Sequence, residues 1–398
     1  MLGLDIGSRA IYLTRYANGA VLAFGQCPTP VESVVDGVVV EPSRVADALL
    51  RLLRLMRLRE SSVCLVVGGT HVINKWVEVP RLSPEELQRA APLEAPRYLP
   101  PSREPMLYRF WVLPGVAAHF VAPPDSSAVS GQSAHASPQA GDTMPARLIA
   151  IPAAVVHSRL DAALLAGLQP VGVLPEADAL VRLLTRHHRP HSLLWRGKAT
   201  ALVAIRYDYT EMSIARETHL EFTRTLRIGL EDAIEAVQRA LGATFEEAEA
   251  LLQESQLDED GTLHFPEALG LPPISLLGFL HGLTAEMRRL IDFQRSRFPE
   301  GSYLGLLDSF LIAGEGAILK GLARYCSQSL GLTVLVGDLL SALQWRVPVD
   351  DRSSEALGRY VSALGAAIEG ELGMGHGVGE PAVVEPPTGI PAEGVQVA

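Results

Sequence analysis

Residues 3–8, with the sequence GLDIGS, limit the possible folds more than any other stretch of the chain. An apolar run that ends in Asp, Gly and Ser predicts a buried strand, a tight turn and a second strand over Ala10 to Tyr16. Glycine permits such a turn and lets a ligand approach the backbone closely. The Asp5 carboxylate would then lie at the turn, where a metal ion or a phosphate group can bind. Because D-x-G also occurs in ordinary hairpins, the interpretation needs support from the rest of the chain.

The order of predicted elements repeats in the second half. Three strands and then a helix from Glu41-Pro42-Ser43 are predicted over residues 2–57. The same order returns over 199–241, where three strands precede a helix from Leu230 to Leu241. A duplicated unit with a turn after each first strand predicts two lobes whose turns face each other across a cleft. A chain of 398 residues is long enough for both.

Composition and charge exclude several classes of function. A net charge of -11 without a Lys/Arg-rich run argues against nucleic-acid binding. The scattered Cys27, Cys64 and Cys326 indicate buried thiols in a reducing compartment. No apolar run approaches the roughly 18 residues of a membrane span, and the chain opens with a strand and not a leader, so a cytosolic protein without direct membrane insertion is expected. Residues 187–191 (HHRPH) are interpreted as a solvated linker and not as a metal site, because acidic partners are absent nearby.

Local signals mark helix starts and loops. Ser83-Pro84-Glu85-Glu86 predicts a capped helix toward Tyr98, which Pro92 and Pro96 should shorten or kink. Residues 114–145 are rich in Ser, Ala, Gly and Pro and predict a flexible insertion, and residues 373–398 predict a disordered tail.

Further elements are predicted along the chain. Asp36-Gly37 predicts a turn, and Thr244 with Glu247 predicts a second capped helix. Strands are predicted over residues 146–151 and 169–174, and helices over residues 317–329 and 355–371.

Several stretches, in this order and spacing, resemble the PilM family of type IV pilus assembly proteins. They are residues 3–8, 36–42, 77–100, 168–171, 286–293 and 313–322. The resemblance covers nearly all of residues 2–372. It implies an α/β, actin-like (ribonuclease H-like) two-lobe fold, related to the bacterial cell-division actin homologue, with duplicated βββαβα cores and an inserted subdomain in lobe one. It also implies a role in pilus biogenesis, and thereby in twitching motility and competence.

The resemblance suggests domain boundaries. They are 1–75 for the lobe-one core, 76–172 for the inserted subdomain, 173–197 for the return and linker, 198–340 for lobe two with a second subdomain around 230–300, 341–372 for a crossing helix, and 373–398 for the tail.

In the family, ATP with magnesium lies in the cleft, and no catalytic residue is assigned here. By resemblance Asp5, Gly7 and Ser8 would face the phosphates and the magnesium ion, and Thr210 matches the family's threonine in the second phosphate loop. By the same resemblance Glu286 and Arg289 would face the ribose and the base, and Gly314 and Gly316 would line the nucleoside side.

The chain departs from the family at the second phosphate loop. The family has Asp-Ile-Gly there, whereas this chain has Ala204-Ile205-Arg206, and Glu315 replaces a glycine in the adenosine loop. Phosphate binding needs small residues, N–H donors and a metal-holding carboxylate. Arg206 therefore either contacts a phosphate directly or fills the emptied pocket and pairs with Asp5 or Asp208. The sequence leaves both a retained and a lost ATP site open, and productive hydrolysis is not expected.

The family resemblance also implies a partner. PilM-family proteins bind the cytoplasmic N-terminal segment of the inner-membrane protein PilN in a groove between the two subdomains of lobe one, and they act with other pilus-machine components. The positions that match the groove-side motif are Leu93, where the family has an aromatic residue, and Glu94, Tyr98, Leu99 and Pro100. For Tyr98 and Leu99 the alternative is ordinary core packing. An extended peptide with alternating apolar side chains suits such a groove, so we expect an adaptor that lies peripheral to the inner membrane through this partner.

Two enzymatic alternatives remain to be compared with the adaptor. An ATP-hydrolysing or polymerising actin-like protein needs both phosphate loops and an acid that orients water, and Ala204 argues against it. A sugar or acetate kinase of the same fold needs a substrate-facing acid and an intact second loop, and the sequence shows neither. A non-hydrolysing scaffold is therefore favoured.

Overall fold

A computed structural model describes residues 1–101, 104–112, 143–187, 199–216, 219–336, 340, 343–347 and 357–373, without the side chains of 185–187. Most of the predicted insertion at 114–145, most of the histidine tract and the predicted tail beyond residue 373 lie outside these residues. The strand predicted from Ala146 starts at Thr143, so residues 143–145 belong to a sheet.

Lobe one begins with a meander and a helix that covers it. Its first elements are β1 (Leu2–Ile6), β2 (Ala10–Ala17), β3 (Ala20–Pro28), the hairpin β4 (Val34–Val35) and β5 (Val38–Val39), α1 (Pro42–Leu55) and β6 (Ser62–Val67). The predicted turn at Asp36-Gly37 closes the small hairpin, with φ of +46° and +76°. The apolar stripe of α1 packs on the sheet, because its buried residues recur at helical spacing from Val45 to Leu53.

An inserted subdomain follows, and the chain then returns to the first sheet. Its elements are β7 (Ile73–Pro80), α2 (Pro84–Glu94), β8 (Met106–Trp111) and β9 (Thr143–Pro152), and the return consists of α3 (Ala153–Leu165), β10 (Gln169–Pro175) and α4 (Glu176–His187). Helix α2 starts at the predicted capping box of Ser83 and Glu86. It passes through Pro92, which is exposed, and ends in a 3-10 turn at Ala95–Arg97.

Lobe two repeats the meander and adds a small second subdomain. Its elements are β11 (Ala199–Ile205), β12 (Thr210–Arg216), β13 (His219–Leu226), α5 (Leu230–Leu241), α6 (Phe245–Glu254), β14 (Gln256–Leu257), β15 (Thr262–His264), β16 (Ile274–Ser275), α7 (Leu277–Ser296), β17 (Leu307–Ala313), α8 (Leu322–Leu330) and β18 (Thr333–Val336). The helix predicted from Ala317 is wrong at its start, because a 3-10 turn and Gly321, at φ +91°, precede α8.

The two large sheets have the same topology. One has the strand order β10-β6-β1-β2-β3, extended by β19 (Gln344–Trp345), and the other has the order β18-β17-β11-β12-β13. In each sheet an antiparallel meander lies beside two parallel strands that follow it in the chain. The predicted actin-like two-lobe fold with a duplicated core is therefore confirmed.

The last helix, α9 (Val361–Gly373), crosses back to lobe one. It packs across β1, β2, β6 and α4. A side chain on Gly3 would overlap the carbonyl of Ala363, and one on Gly365 would overlap Ala179, so the backbones meet directly. A helix was predicted to start at residue 355, but within the described residues α9 starts only after a 3-10 turn at Gly358–Tyr360.

Candidate functional site between the lobes

The first hairpins of the two lobes have matching turns. In lobe one the Gly7 N–H donates to the Ala10 carbonyl at 3.0 Å, and in lobe two the Arg206 N–H donates to the Tyr209 carbonyl at 2.8 Å. The residues between the paired strand ends are equal in number in both hairpins. Arg206 therefore holds the position in lobe two that Gly7 holds in lobe one.

The Arg206 side chain joins the lobes through three buried carboxylates. Its Nη2 lies 2.7 Å from Asp5, its Nη1 3.1 Å from Glu176 and its Nε 3.1 Å from Glu315. All four side chains are buried, with at most 7% of any of them exposed. We call these four residues the Arg206 cluster. Of the two alternatives from the sequence, the structure shows the pocket-filling one, with Asp5 and not Asp208 as a partner.

Further polar groups fix Glu176 at the start of α4. Its carboxylate accepts from the Ser362 hydroxyl on α9 at 2.7 Å and from the Tyr209 hydroxyl at 2.9 Å. The Arg206 contact with Glu176 also has hydrogen-bond geometry. A buried charge is tolerated when partners of this kind satisfy it. Lobe one, lobe two and α9 thus all contribute to one network.

The cluster has more negative than positive groups, and this changes its proton affinities. Burial opposes the charge of Arg206, but the three carboxylates outweigh it and raise the pKa of Arg206 well above its usual value. Burial raises the pKa of Glu315 to about 7, partly offset by Arg206. Burial likewise raises the pKa of Glu176, and that of the adjacent Glu211 even further. One guanidinium among several buried acids therefore favours a proton on one of them near neutral pH.

Exposed contacts close the cleft at its rim. The Ser8 hydroxyl donates to Asp208 at 3.2 Å, and Arg9 pairs with Glu231 at 3.2 Å. The Arg9 guanidinium also lies 4.1 Å from the ring centre of Phe245. The turn of lobe one therefore contacts lobe two both inside the cleft and at its rim.

A cavity of about 360 Å³ lies beside the cluster. Its wall includes Asp5, Gly7, Ser8, Asp36, Gly37, Gly68, Gly69, Thr70, His71, Arg159, Arg206, Asp208, Tyr209, Arg227 and Glu315. Arg159 is buried and donates to the carbonyls of Gly37 and Ile6, and burial lowers its pKa. The cavity thus lies on the lobe-one side of the cleft, with Arg206 at its inner wall.

The predicted nucleotide residues fall into four groups. Asp5, Gly7 and Ser8 line the cavity together. Thr210 is fully buried, and its hydroxyl donates to the Ile228 carbonyl at 2.6 Å.

The glycines of the predicted nucleoside side do not line this cavity. Side chains placed on Gly314 or Gly316 would lie 2.5 Å from atoms of Ile205, so both glycines serve the close contact between β11 and the following turn. Ala204, at the end of β11, is fully buried and pairs with Ala313. Ala204 thus places a small apolar side chain at the position that corresponds to Asp5 in lobe one.

Glu286 and Arg289 lie elsewhere in lobe two. Glu286 pairs with Arg224 on β13 at 3.1 Å and with the neighbouring Arg289, and neither of the two predicted residues is among the side chains that line the cavity. The structure therefore does not bring this pair together with Asp5.

Sequence reasoning missed Glu176, Tyr209 and Ser362. One available signal concerned Glu176, which lies two residues after the predicted strand at 169–174. Strands β1, β6 and β10 are parallel, so their carboxyl ends meet at one edge of the sheet and bring Asp5 and Glu176 together. Ser362 lies 186 residues after Glu176 and 156 residues after Arg206 in the sequence, and no local pattern points to it.

The predicted groove residues lie at the end of α2 and just after it. Leu93 is 79% exposed, and Pro100 is exposed. Glu94 pairs with Arg97 at 3.0 Å. Tyr98 and Leu99 pack on the core of the inserted subdomain, and the Tyr98 hydroxyl donates to the Glu78 carbonyl.

Tyr98 also lines a second cavity, of about 430 Å³. This cavity lies between β7 of the inserted subdomain and β13 and α7 of lobe two, with Trp76, Phe222 and Phe293 in its wall. The Trp76 indole N–H donates to the Leu220 carbonyl at 3.0 Å across it.

These features define a class: an actin-like, two-lobed protein whose facing turns are joined by its own side chains. The family model described as type IV pilus assembly protein PilM matches residues 132–371, more than half of the chain. The chain therefore belongs to the PilM family of type IV pilus assembly proteins.

Solved structures agree with the fold. A PilM-PilN type IV pilus biogenesis complex matches with a TM-score of 0.71 and 23% identity, covering 93% of this chain and 98% of that one. The ethanolamine utilization protein EutJ from Carboxydothermus hydrogenoformans matches with a TM-score of 0.49, 14% identity and coverage of 92% and 88%. MreB 5 of Spiroplasma citri, bound to AMPPNP, matches with a TM-score of 0.47, 10% identity and coverage of 92% and 94%. At these two lower scores the structures add nothing to the assignment.

Proposed function

We propose that this type IV pilus assembly protein is a non-hydrolysing adaptor whose lobes are held together by the Arg206 cluster in place of a magnesium nucleotide. The observation that carries the proposal is the ion pairing of Arg206 with Asp5, Glu176 and Glu315, all of them buried. In an actin-like cleft, phosphates and a metal ion would connect the two turns. Here a guanidinium and carboxylates of the chain itself provide that connection.

The geometry explains why phosphate binding is disfavoured. A side chain added to Gly7 would lie 3.3 Å from the Arg206 guanidinium, which therefore occupies the space directly over the first turn. The carboxylate of Glu315 also faces the first turn, 3.9 Å from a side chain added to Gly7, and would repel a phosphate there. Ala204 offers no oxygen to a magnesium ion. A nucleotide would have to displace the Arg206 side chain from its three buried ion pairs before it could bind.

Calorimetric titration with ATP and magnesium tests this part of the proposal. We expect no saturable heat for the wild type up to about 1 mM ATP, which corresponds to a binding free energy weaker than roughly 4 kcal/mol. Asp5→Asn serves as the matched variant, since it removes the predicted metal-facing carboxylate. Saturable binding by the wild type that Asp5→Asn abolishes, or phosphate release above background, would instead support the nucleotide-hydrolysing alternative. Arg206→Gly, which restores the family residue, shows whether Arg206 alone blocks the site.

The adaptor part of the proposal concerns a PilN-like inner-membrane protein. We infer that its cytoplasmic N-terminal segment binds near Leu93, Glu94 and Pro100, so that the protein lies in the cytoplasm, peripheral to the inner membrane. The exposed Leu93 supports this, because a leucine with 79% of its surface in water at a helix end offers an apolar anchor. Tyr98 and Leu99 support the position of α2 from within the subdomain core.

Fluorescence anisotropy with a labelled peptide of a PilN-like tail tests the docking. We expect Leu93→Glu to weaken binding about tenfold or more, since a charge would be placed in an apolar contact. Leu306→Glu is the control, because Leu306 is an exposed leucine of lobe two, with 52% of its surface exposed. Equal binding by both variants would move the docking site away from α2, and no binding by the wild type at high micromolar concentration would contradict the adaptor function.

A further inference from the structure

One edge of lobe one combines unpaired arginines with exposed leucines. The edge consists of Arg51, Arg54, Leu55, Arg57, Arg59, Leu164 and Leu165, and we call it the basic edge. The arginines lie on the last turns of α1 and in the loop that follows it, and the two later leucines end α3.

The two helix ends lie side by side. Helices α1 and α3 pack against each other and share one core cluster, which includes Leu52, Leu53, Ala162 and Ala163. The Gln169 N–H, just after α3, donates to the Ser61 carbonyl, just after the arginine loop, at 2.7 Å. Strands β6 and β10 start from these two points and run in parallel toward the cleft. The basic edge is therefore at the end of the sheet opposite the Arg206 cluster.

The arginines have no intramolecular counter-ions in the part of the chain that the structure describes. None of the four is in an ion pair there, whereas Glu60, the acid nearest in sequence, pairs with Arg15. Helices α1 and α3 themselves carry two exposed acids, Asp47 and Asp161. The four arginines lie within nine residues, so they form a local basic group that the sequence analysis did not single out in a chain with a net charge of -11.

The leucines of the edge are strongly exposed. Leu55 has 81% of its surface exposed, and Leu164 and Leu165 each have 57%. Isolated exposed leucines need no explanation, but a group among unpaired cations marks an interaction surface.

We propose that the basic edge binds the surface of an anionic phospholipid bilayer. The arginines would pair with lipid phosphates while the leucines enter the boundary between headgroups and acyl chains. A cluster of about four or more cations on an amphipathic helix is the pattern that such surfaces recognise, and each contributes about 1 kcal/mol of attraction. An acidic protein surface is the competing partner, and the pattern of cations with leucines at helix ends favours the bilayer.

This binding differs from membrane insertion. No helix within the described ranges is long and apolar enough to cross a bilayer. Contact through the basic edge would instead hold lobe one on the surface, with the opposite end of its sheet, and hence the Arg206 cluster, directed away from the lipid.

Vesicle flotation of the full chain tests the proposal without any partner peptide or nucleotide, so its outcome does not depend on the proposed adaptor function. Vesicles of phosphatidylcholine with about one third phosphatidylglycerol should carry the protein at low salt, and binding should fall at high salt because exposed charges are screened. Vesicles of phosphatidylcholine alone should not carry it.

Two matched variants separate this edge from general charge effects. Arg51→Glu with Arg54→Glu should weaken partitioning about 30-fold or more, given the attraction per cation. Arg239→Glu with Arg295→Glu makes the same charge change at two exposed arginines of lobe two and should change it far less. Leu164→Ser with Leu165→Ser should cause a smaller loss, of about threefold to tenfold. Circular dichroism and urea unfolding confirm that each variant is folded.

Three outcomes would overturn the proposal. They are a wild type that does not float with anionic vesicles, equal losses in the two charge-reversed pairs, and stronger capture by a polyglutamate surface than by anionic vesicles. The last outcome would assign the edge to an acidic protein.

Discussion

The two turns that face each other across the cleft have the same backbone and different chemistry. Both close with one hydrogen bond between matching positions, yet Asp5 and Gly7 in lobe one correspond to Ala204 and Arg206 in lobe two. The first turn carries small residues and a carboxylate, which are the residue types that phosphate and metal binding require. The second turn has a methyl group where the first has a carboxylate, and a long cation where the first has a glycine.

The comparison shows that two copies of one scaffold can share their backbone geometry and still differ in the side chains at their turns. The two turns are complementary, because the cation of lobe two pairs with the acid of lobe one. Glu315 supplies a further acid from lobe two itself. Side chains of the protein itself therefore connect the two turns.

The largest expected effect comes from removal of the cation. Arg206→Met would leave Asp5, Glu176 and Glu315 buried without a counter-charge, and we expect the free energy of unfolding to fall by about 3–5 kcal/mol. Urea unfolding measures it. Arg239→Met, at an exposed arginine, is the control and should stay within about 0.5 kcal/mol of the wild type.

A compensating variant sharpens this test. Asp5→Asn with Glu315→Gln in the Arg206→Met background should recover a substantial part of the loss, because two of the stranded charges are removed. A stable Arg206→Met protein would show that the lobes do not depend on the cluster.

The next effect concerns pH. The pKa of Glu315 is raised to about 7 in the folded protein, so between its unfolded value and about 7 the folded state holds a proton that the unfolded state has lost. Stability should therefore fall as pH rises through this window, by at most about 3 kcal/mol. Thermal unfolding between pH 5 and pH 8 should show this fall in the wild type and a flatter profile in Glu315→Gln. A profile unchanged by the substitution would assign the proton to Glu176 or to another acid.

A smaller effect is expected where Gly7 meets Arg206. In Gly7→Ala the new methyl group would lie 3.0 Å from the Ala10 carbonyl and 3.3 Å from the guanidinium, so we expect a loss of about 1–3 kcal/mol from overpacking. Gly278→Ala, where no atom lies within 4 Å of the new methyl, should be neutral or slightly stabilising. Urea unfolding of the two variants, compared by their free energies of unfolding, tests whether the Arg206 guanidinium lies over the first turn.

The smallest effect should come from the rim. Arg9→Gln removes an exposed ion pair with Glu231 and a contact with Phe245, and such contacts contribute about 0–1 kcal/mol. A loss as large as that in Arg206→Met would mean that the rim, and not the buried cluster, holds the lobes together.

Much of the fold was predictable because local chemistry and topology agree. The capping residues before α2 and α6, the Asp36-Gly37 turn and the repeated strand order each predicted elements that the structure contains. The small sheet of lobe two was missed because β14 and β16 have two residues each and β15 has three, too few for a periodicity. The start of α8 was missed because Gly321 adopts a left-handed backbone conformation that the apolar pattern does not indicate.

The site was only partly predictable. The sequence located the altered turn and named Arg206, and it left open whether that side chain met a phosphate or an acid. Glu176 pairs with Arg206, and Ser362 donates to Glu176. These two residues come from other regions of the chain, and only the packing of the folded protein brings them to the site. Glu286 and Arg289 on α7 do not line the cavity beside the Arg206 cluster, so their contact with a nucleotide stays a prediction.

The crossing helix has a consequence for how the protein reaches its native state. The first strand is covered by the backbone of α9, since Gly3 contacts Ala363 with no side chain between them. The first lobe therefore cannot complete its core until nearly all of the second lobe has been synthesised. During translation its sheet would remain open on one face, so its folding should begin late and respond to chaperones that bind exposed apolar strands.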